Sequence, residues 1–239
     1  MAMADNNRAQ ITPDTLLAID LFRDLDRQDR AAIAKRCDGA RFNAGDNIVL
    51  QRDNRTDVFF IVSGTVRVAF HSKPGKDVQF RDQYAGECFG ELSAIDGDTR
   101  SAEVAAVTDV FVGAIKAQDF LDIATSYPLV SAKILKQLTS MVRSLSDRVV
   151  ELSTLGVANR IHAEILRLAR HSGVTGNTAT LIPTPTHAEL ASRVSTQREA
   201  VTKEIGRLVR AGILAREQGL LRVADVERLE TLVETLAES

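Results

Sequence analysis

Residues 89–102 read FGELSAIDGDTRSA, and both the fold and the ligand class of the chain can be predicted from this stretch. Glu91 can accept a hydrogen bond from a ribose 2′-hydroxyl group, and Arg100 can donate two parallel bonds to a ring phosphate. Gly90 lets the backbone approach a ligand closely where a Cβ atom would clash. Each residue alone would be interpreted as a solvated loop residue, but their joint spacing predicts a site for a cyclic nucleotide monophosphate.

The segment resembles the phosphate-binding cassette of cyclic-nucleotide domains, which occurs in bacterial cyclic-AMP receptor proteins and in kinase regulatory subunits. The resemblance implies a short helix directly after Gly90 and Glu91, whose free N–H groups, with those around Ser101, face the phosphate. The positions that match phosphate and ribose contacts of the family are Gly90, Glu91, Leu92, Ser93, Arg100 and Ser101.

Length and composition are those of an ordinary globular protein, with 239 residues and a formal net charge of −2, and leave room for two cores. The two cysteines, Cys37 and Cys88, are far apart and the four histidines form no ligand pair. We therefore expect no metal site and a reduced, cytoplasmic setting. Residues 1–10 are polar and no apolar run is long enough to cross a bilayer, so we expect an N-terminal tail over residues 1–20.

The first half of the chain, from about Arg41 to Ile115, consists of short β-rich runs separated by turns. Residues 58–62 read VFFIV, a Ser-Gly turn follows, and apolar residues then alternate with polar ones. Two further β-rich runs lie between 104 and 115, on either side of a Thr-Asp break. These strands predict an α+β protein whose N-terminal domain, residues 21–125, is a β jelly roll that binds the nucleotide.

After Pro128 the pattern changes to that of one long helix, predicted over residues 126–154. Apolar residues recur at alternating steps of four and three, the spacing of a seam between two parallel helices. They are Leu135, Leu138, Val142, Leu145, Val149 and Leu152, with Ser131 in register ahead of them. The stripe predicts a homodimer, and Ile134 beside it is available to face the barrel. The alternative is a single amphipathic helix packed on its own domain, which needs a similar stripe.

A second, helical core is predicted over residues 155–239. Residues 186–189 and 196–199 each show a capping-box pattern, with Thr at the cap and Glu three residues later. Small residues and a tight turn between them are typical of a helix-turn-helix, and residues 212–223 are typical of a turn followed by a β wing. The pattern therefore predicts a winged helix-turn-helix domain.

The second helix of this motif is predicted to bind DNA. Arg can contact guanine O6 and N7 and Glu can accept from cytosine N4, and both occur at the N-terminal end of the helix. The candidate DNA contacts are Thr196, Gln197, Arg198, Glu199, Thr202, Lys203 and Arg207. From Arg198 to Arg222 six basic residues stand against three acidic ones, which favours phosphate attraction. The alternative is that Glu199 is only a capping residue and the basic residues form a solvated face.

From Leu21 to Val223 the chain resembles the cyclic-AMP receptor protein and fumarate-nitrate regulator (CRP/FNR) family of bacterial transcription factors. The resemblance implies a homodimer that takes cAMP or cGMP as an allosteric ligand, without a metal, in a pocket whose apolar wall includes Val68 and Phe80. It also implies double-stranded DNA with a palindromic operator, and RNA polymerase, as partners.

Three positions depart from the cyclic-AMP receptor pattern. Ser146 stands where the family has a serine that reaches the partner chain's nucleotide, but the preceding threonine, which touches adenine, is here Leu145. Arg81 stands where that receptor has a serine and can donate to guanine O6 or N7, so adenine and guanine both stay open. Lys203 replaces an arginine of the receptor's DNA reader, whose half-sites are TGTGA-like.

No enzyme activity is predicted, because the sequence supplies neither a nucleophile with a paired base nor the His and Asp metal cage of a cyclic-nucleotide hydrolase. Two alternatives to the favoured function stay open. One is a CRP/FNR-type regulator that responds to another ligand, and the cassette counts against haem, oxygen or a 2-oxo acid. The other is a cyclic-nucleotide-sensing module that regulates a partner enzyme, and the helix-turn-helix counts against it.

Overall fold

The structure is a computed structural model that describes residues 8–71, 77–217 and 219–234. The chain divides into two compact units, Met1–Val142 and Arg143–Ser239. The boundary falls inside one 27-residue helix, Pro128–Thr154, so each unit contains part of it. Among the described residues, no helix is both long enough and apolar enough to cross a membrane.

Two antiparallel sheets form the framework of the first unit, as the β-rich half of the sequence predicts. Their strands are β1 (Arg8–Ala9), β2 (Asp38–Phe42), β3 (Asn47–Val49), β4 (Val58–Ser63), β5 (Thr65–His71), β6 (Asp77–Tyr84), β7 (Cys88–Phe89), β8 (Glu103–Ala106) and β9 (Val110–Ile115). One sheet has the order β1-β2-β9-β4-β7 and the other has the order β3-β8-β5-β6. The predicted β jelly roll within an α+β chain is confirmed.

Strand β4 explains why residues 58–62 are continuously apolar instead of alternating. Phe60 packs in a core cluster beneath helices, while its neighbours Phe59 and Ile61 pack in a second cluster that includes residues of both sheets. Both Phe60 and Ile61 are fully buried. A strand covered on both faces needs apolar residues at every position, so its sequence is a run without alternation.

Helices cover the outside of the first sheet. They are α1 (Pro13–Leu17), α2 (Arg27–Ala34), α3 (Glu91–Asp96), α4 (Ala117–Ser126) and the first part of α5 (Pro128–Thr154). Phe22 and Phe120 both pack against Phe60, with ring centroids 4.9 Å and 6.5 Å from its ring. Aromatic packing of this kind fixes the helices on the sheet in addition to burying area.

The predicted tail over residues 1–20 is wrong for residues 8–20. Ile11, Leu16 and Ile19 are at most 5% exposed and belong to the core of the first unit. Thr12 caps α1 by accepting a bond from the Thr15 N–H at 3.1 Å, and Pro13 occupies the first turn. The apolar residues of this segment follow no regular stripe, and their packing in the core of the first unit, together with the cap of α1, orders the segment. Residues 1–7 lie outside the described part of the chain.

Helix α5 ends at Thr154 as predicted but begins at Pro128 instead of residue 126, because Ser126 belongs to α4. Ile134 is buried in the core of the first unit, which confirms that it faces the barrel. Leu138, which the heptad pattern assigned to the seam, is instead half-buried and packs partly against that same core. The exposed members of the stripe, with their exposed fractions, are Leu135 (64%), Val142 (62%), Leu145 (49%), Val149 (64%) and Leu152 (40%).

The second unit is the predicted winged helix-turn-helix. Besides the end of α5, it contains α6 (Val157–Ser172), β10 (Ala179–Leu181), α7 (His187–Arg193), α8 (Arg198–Arg210), β11 (Leu214–Glu217), β12 (Leu220–Val223) and α9 (Val226–Glu234). Strands β11 and β12 form the expected wing, and β10 adds a third antiparallel strand beside β12. One buried cluster joins α6, α7, α8 and the wing, so the two helices of the motif are fixed by a common core.

Candidate functional site

The ligand cassette begins where β7 runs into α3 through Gly90. Gly90 has a φ of 85°, in the left-handed region that only glycine adopts readily. A Cβ atom on Gly90 would stand 2.6 Å from Nη1 of Arg100 and 2.8 Å from the carbonyl oxygen of Asp57. The position therefore requires glycine for two reasons, the backbone conformation and the close approach of these two groups.

Arg100 is the buried charge of the cassette, with 3% of its surface exposed. Its Nη1 donates to the Gly90 carbonyl at 3.0 Å and its Nη2 donates to the Asp57 carbonyl at 2.6 Å. The Nε atom is also buried, and it has no hydrogen-bond acceptor among the described residues. Burial lowers the pKa of Arg100, because a charged guanidinium is costly away from water.

Glu91, the first residue of α3, is 5% exposed. Burial raises the pKa of its carboxyl group, while the positive charges of Arg81 and Arg100 lower it. Ser93 is also buried, and its hydroxyl donates to the Thr99 carbonyl at 3.4 Å, which links α3 to the following loop. The cassette thus places a carboxyl and a guanidinium, both buried, around one short helix.

The other predicted cassette residues are less buried. Leu92 is half-buried on α3, and Ser101 is exposed, with its carbonyl accepting a bond from Nε2 of Gln51 at 3.3 Å. The contacts of Leu92, Ser93 and Ser101 with a nucleotide stay predictions.

The predicted pocket wall lies on β5 and β6. Val68 and Arg81 are directly opposite each other in this antiparallel pair. The next pair is Ala69 with Gln79, so Phe80 is the extra residue of a β-bulge. The side chain of Phe80 lies outside the described part of the structure, and its role in the wall stays a prediction.

A polar contact beside the cassette was not predicted from the sequence. Gln83 is buried and its Nε2 donates to the Cys88 carbonyl at 2.9 Å, while the Cys88 thiol lies 3.5 Å from the side-chain amide of Gln137 on α5. Burial raises the pKa of the Cys88 thiol, so it remains protonated. The only sequence signal was a glutamine within a β-rich run, which is weak evidence without the register.

Leu145 and Ser146, predicted to reach the nucleotide of a partner chain, lie on α5 in the second unit. Both are exposed. Their contact with a nucleotide stays a prediction.

The helix-turn-helix confirms one predicted capping box and contradicts the other. Thr186 caps α7, and it exchanges hydrogen bonds with Glu189 at 3.2 Å and 2.7 Å. The box predicted for Thr196 and Glu199 is wrong, because α8 begins at Arg198 and Gln197 is its N-cap without a side-chain bond. Glu199 is therefore not used for capping.

Three of the predicted DNA contacts project from the start of α8. The side chains of Arg198, Glu199 and Lys203 are exposed, and no described residue forms a hydrogen bond or ion pair with them. Gln197 is likewise exposed, and Thr196 is half-buried in the turn. These three side chains, one acidic and two basic, lie at the N-terminal end of α8. In a recognition helix this end faces the base edges of the major groove.

Arg207, predicted to contact DNA, is engaged within the domain. Its Nε and Nη2 donate to Oε1 of Glu204 at 2.9 Å and 2.7 Å, and its Nη2 lies 3.2 Å from Nε2 of His162. The carboxylate of Glu204 raises the pKa of Arg207. The guanidinium is still half exposed, and a DNA contact by it stays a prediction.

Thr202 belongs to a chain of hydrogen bonds that runs from the wing to the recognition helix. Arg216 of β11 lies 2.8 Å from Nε2 of His187, and Nδ1 of His187 lies 2.7 Å from Oγ1 of Thr202. A guanidinium can only donate, so Nε2 accepts, Nδ1 carries the proton, and the Thr202 hydroxyl donates to the Arg198 carbonyl at 2.9 Å. Burial, Arg216 and Arg198 all lower the pKa of His187, which favours this neutral form.

A buried carboxylate joins three segments of the second unit. Glu164 of α6 is 3% exposed and accepts hydrogen bonds from Arg148 of α5 at 3.2 Å, from Arg193 of α7 at 3.3 Å, and from Arg167. Arg148 also donates to the Arg193 carbonyl. Glu164 therefore links the last turns of α5 to α7, the first helix of the DNA-binding motif.

Comparison with known families gives one match in each unit. The cyclic nucleotide-binding domain family matches residues 40–127, and the Crp-like helix-turn-helix domain family matches residues 159–232. These matches coincide with the unit that holds the cassette and with the unit that holds the recognition helix.

Two curated proteins are similar over most of their length. The cyclic AMP receptor protein of Thermus thermophilus is 28% identical over 193 residues, which cover 81% of this chain and 87% of that protein. A CRP-like cAMP-activated global transcriptional regulator of Mycobacterium tuberculosis is 23% identical over 210 residues, covering 87% and 94%.

Solved structures agree with the fold. A CRP/FNR family transcriptional regulator from Thermus thermophilus superimposes with a TM-score of 0.68 at 26% identity, covering 83% of this chain and 99% of that one. A CooA mutant from Carboxydothermus hydrogenoformans gives a TM-score of 0.75 at 19% identity, covering 97% of each chain. The second likeness is evidence for the fold alone.

Proposed function

We propose that this chain, which belongs to the CRP/FNR family of transcription regulators, is a cyclic-nucleotide-responsive, sequence-specific DNA-binding regulator. It acts as a homodimer on a palindromic site, with cAMP or cGMP as its allosteric ligand and RNA polymerase as a further partner. The family and the two domains follow from the matches above, and we propose the ligand, the dimer and the operator.

The observation that carries the proposal is the burial of Arg100 without an ion-pair partner among the described residues. Its hydrogen bonds go to two neutral carbonyl groups, its Nε lacks an acceptor, and no carboxylate among the described residues forms an ion pair with it. A buried charge is costly unless it is paired. A ring phosphate would supply both a negative charge and an acceptor for the buried Nε donor.

Glu91 supports the same ligand. A buried carboxyl group is stabilised by donors that reach it, and a ribose 2′-hydroxyl group is such a donor. Because Glu91 begins the short helix α3 and Arg100 follows that helix, we infer a ligand that combines a sugar hydroxyl group with a phosphate at short range. A cyclic nucleotide has this combination.

The homodimer is supported by the exposed stripe of α5. Aliphatic side chains that are 40–64% exposed recur along it at the spacing of a helix-helix seam. A row of exposed aliphatic side chains of this kind is typical of an interaction surface. We propose that this row packs against the same row of a second copy of the chain. Two parallel helices related by a two-fold axis would bury both rows against each other.

The DNA contact is assigned to the start of α8. Arg198, Glu199 and Lys203 have no side-chain partners among the described residues, so they are available to base edges and phosphates. In a two-fold dimer the two recognition helices meet half-sites about one helical turn apart, which is why the operator is a palindrome. The nucleotide activates only to the extent that it binds the DNA-competent dimer more tightly than the inactive one.

Two measurements test this function together. Calorimetry with cAMP, cGMP and cyclic di-GMP measures ligand binding, and selection from a random DNA pool with and without the bound nucleotide identifies the operator. We expect a palindrome that is recovered strongly only with nucleotide. Recovery of no palindrome, or of the same palindrome at equal strength without nucleotide, contradicts ligand control. A palindrome with no binding of any cyclic nucleotide points to another ligand.

A further inference from the structure

We propose that DNA binding by this chain is coupled to the uptake of a proton at His187, the residue that joins the wing to the recognition helix. The inference rests on the proposed function, since it needs the DNA contact assigned to the start of α8. It adds a dependence on pH that DNA binding by itself does not require.

His187 lies where three elements of the second unit meet. It is the first residue of α7 and is half-buried. Nε2 of its ring lies 2.8 Å from Nη2 of Arg216 on β11, and Nδ1 lies 2.7 Å from Oγ1 of Thr202 on α8. Both ring nitrogens are therefore engaged, each with a different element of the DNA-binding unit.

The neutral ring satisfies both contacts, whereas the protonated ring cannot. The Thr202 hydroxyl donates to the Arg198 carbonyl at 2.9 Å, so Nδ1 carries the proton of the neutral ring and Nε2 accepts from Arg216. A second proton would have to bind at Nε2, where the guanidinium presents only donors. Protonation of His187 therefore requires Arg216 to move away from the ring.

The charges around His187 also oppose its protonation. Burial lowers the pKa of the imidazole, and the positive charges of Arg216 on β11 and Arg198 on α8 lower it further. Both arginines therefore keep the ring neutral in the protein without DNA.

The acidic residues of the same three elements are placed differently. Glu189 closes the capping box of α7, and Glu204 and Glu217 each accept a hydrogen bond from another arginine. Glu199 is exposed at the start of α8. The acceptor on the Nε2 side of the ring is thus the ring itself, and its neighbour is a cation.

DNA changes this balance. A duplex carries one negative charge for about every 1.7 Å of its axis. Phosphates near the start of α8 oppose the positive field of Arg198 and attract the guanidinium of Arg216, which releases Nε2. A nearby negative charge favours the protonated form of a histidine. The pKa of His187 is therefore higher in the DNA complex than in the free protein.

Affinity for DNA should rise as the pH falls. Between the two pKa values His187 is neutral in the free protein and protonated in the complex, so binding takes up a proton from solvent. The interval begins below the ordinary pKa of histidine, because the free value is lowered. The total gain in affinity is about tenfold for each unit by which the two pKa values differ.

Two measurements on the full chain test the coupling, both with the palindrome recovered by selection and with the nucleotide bound. Gel-shift titrations at constant ionic strength from about pH 5 to 8 give the slope of affinity against pH. Calorimetry in buffers of different ionisation enthalpy counts the protons taken up. We expect up to about one proton for each bound subunit.

Variants at His187 and Arg216 make the test specific. His187→Gln cannot titrate, so its affinity should lose the pH slope. His171→Gln is the matched control, because His171 is an exposed histidine at the end of α6, and it should keep the slope. Arg216→Met should reduce the proton uptake, since the free protein then no longer excludes the proton. Arg170→Met, which removes an exposed arginine paired with Glu230, should leave the uptake unchanged.

The readout is a slope or a proton count, so a general loss of stability does not imitate the effect. An affinity of the parent protein that does not change with pH, or a slope that persists in His187→Gln, overturns the inference while the proposed function stands. Failure of the parent protein to bind a specific DNA site at any pH removes both the inference and the DNA-binding function.

Discussion

Arg100 donates from Nη1 to the carbonyl oxygen of Gly90 at 3.0 Å, which joins the two ends of the ligand cassette directly. The same nitrogen occupies the space that a side chain on Gly90 would need. The backbone of the cassette at Gly90 therefore holds the Arg100 guanidinium in place. A group held in this way loses little further freedom when it binds a phosphate.

Replacing Arg100 or Glu91 by alanine should weaken nucleotide binding. Each change removes a charge-assisted hydrogen-bond partner, which costs about 1.5 to 3 kcal/mol of binding free energy, and Arg100→Ala should be the more damaging. Calorimetry measures both. Arg55→Ala is the control, because Arg55 is an exposed arginine of the preceding loop that is paired with Asp53. If Arg100→Ala and Glu91→Ala both bind like the parent protein, the site is misassigned.

A comparison of Gly90→Ala with Gly97→Ala distinguishes the effect of backbone strain from that of a clash between the new Cβ atom and Arg100. Both glycines have positive φ, 85° and 74°, so either change should cost about 1 to 2 kcal/mol of stability. Only at Gly90 would the new Cβ meet Arg100, whereas nothing lies within 4 Å of the corresponding atom at Gly97. We expect Gly90→Ala to lower nucleotide affinity at least about tenfold, with Gly97→Ala near the parent value. Equal affinities in the two variants would contradict the proposed coupling of Gly90 to Arg100.

The cassette and the helix-turn-helix could be predicted from the sequence because each depends on residues close together in the chain. Gly90 and Arg100 are ten residues apart, and the capping box of α7 spans four residues. The order of the N-terminal segment could not be predicted, because Ile11 and Leu16 pack in a core cluster that includes residues from distant parts of the chain.

The pairing of Arg207 has a similar explanation. Glu204 lies one turn away on the same helix, but His162 belongs to another helix. Sequence alone could not decide whether Arg207 faced solvent or this cluster. The face of the sheet on which Arg81 lies likewise becomes known only with the register of β5 and β6.

Charge placed on the exposed stripe of α5 should separate the two subunits. Val142→Glu introduces a carboxylate into the proposed seam, where it would be buried without a partner. Val150→Glu is the control, because Val150 is 59% exposed on the same helix but lies outside the heptad positions. Light scattering at micromolar concentration should give a dimer for the parent and for Val150→Glu, and a monomer for Val142→Glu. A monomeric parent, with and without nucleotide, would contradict the dimer.

Removing Glu164 should destabilise the DNA-binding unit. Glu164→Ala leaves Arg148 and Arg193 without their shared carboxylate, and breaking a buried ion pair by removing one partner costs about 3 to 5 kcal/mol. The control is Glu230→Ala, which removes the partner of the exposed Arg170 and should cost at most about 1 kcal/mol. Urea unfolding measures both changes, and similar values for the two variants would show that the buried network contributes little to stability.

Arg198 and Arg207 should affect DNA binding in different ways. Arg198 is free at the start of α8 and is assigned to a guanine, so Arg198→Ala should cost about 1 to 3 kcal/mol on the preferred site and relax the preference at one base pair. Arg207 is held by Glu204, and if it reaches DNA it contacts phosphate. Arg207→Ala should then weaken binding to all sequences alike and reduce the salt slope by about 1. Gel-shift titrations at several salt concentrations, on the selected site and on single-base variants of it, measure both effects. Loss of affinity without any change of base preference in Arg198→Ala would show that Arg198 contacts only the DNA backbone.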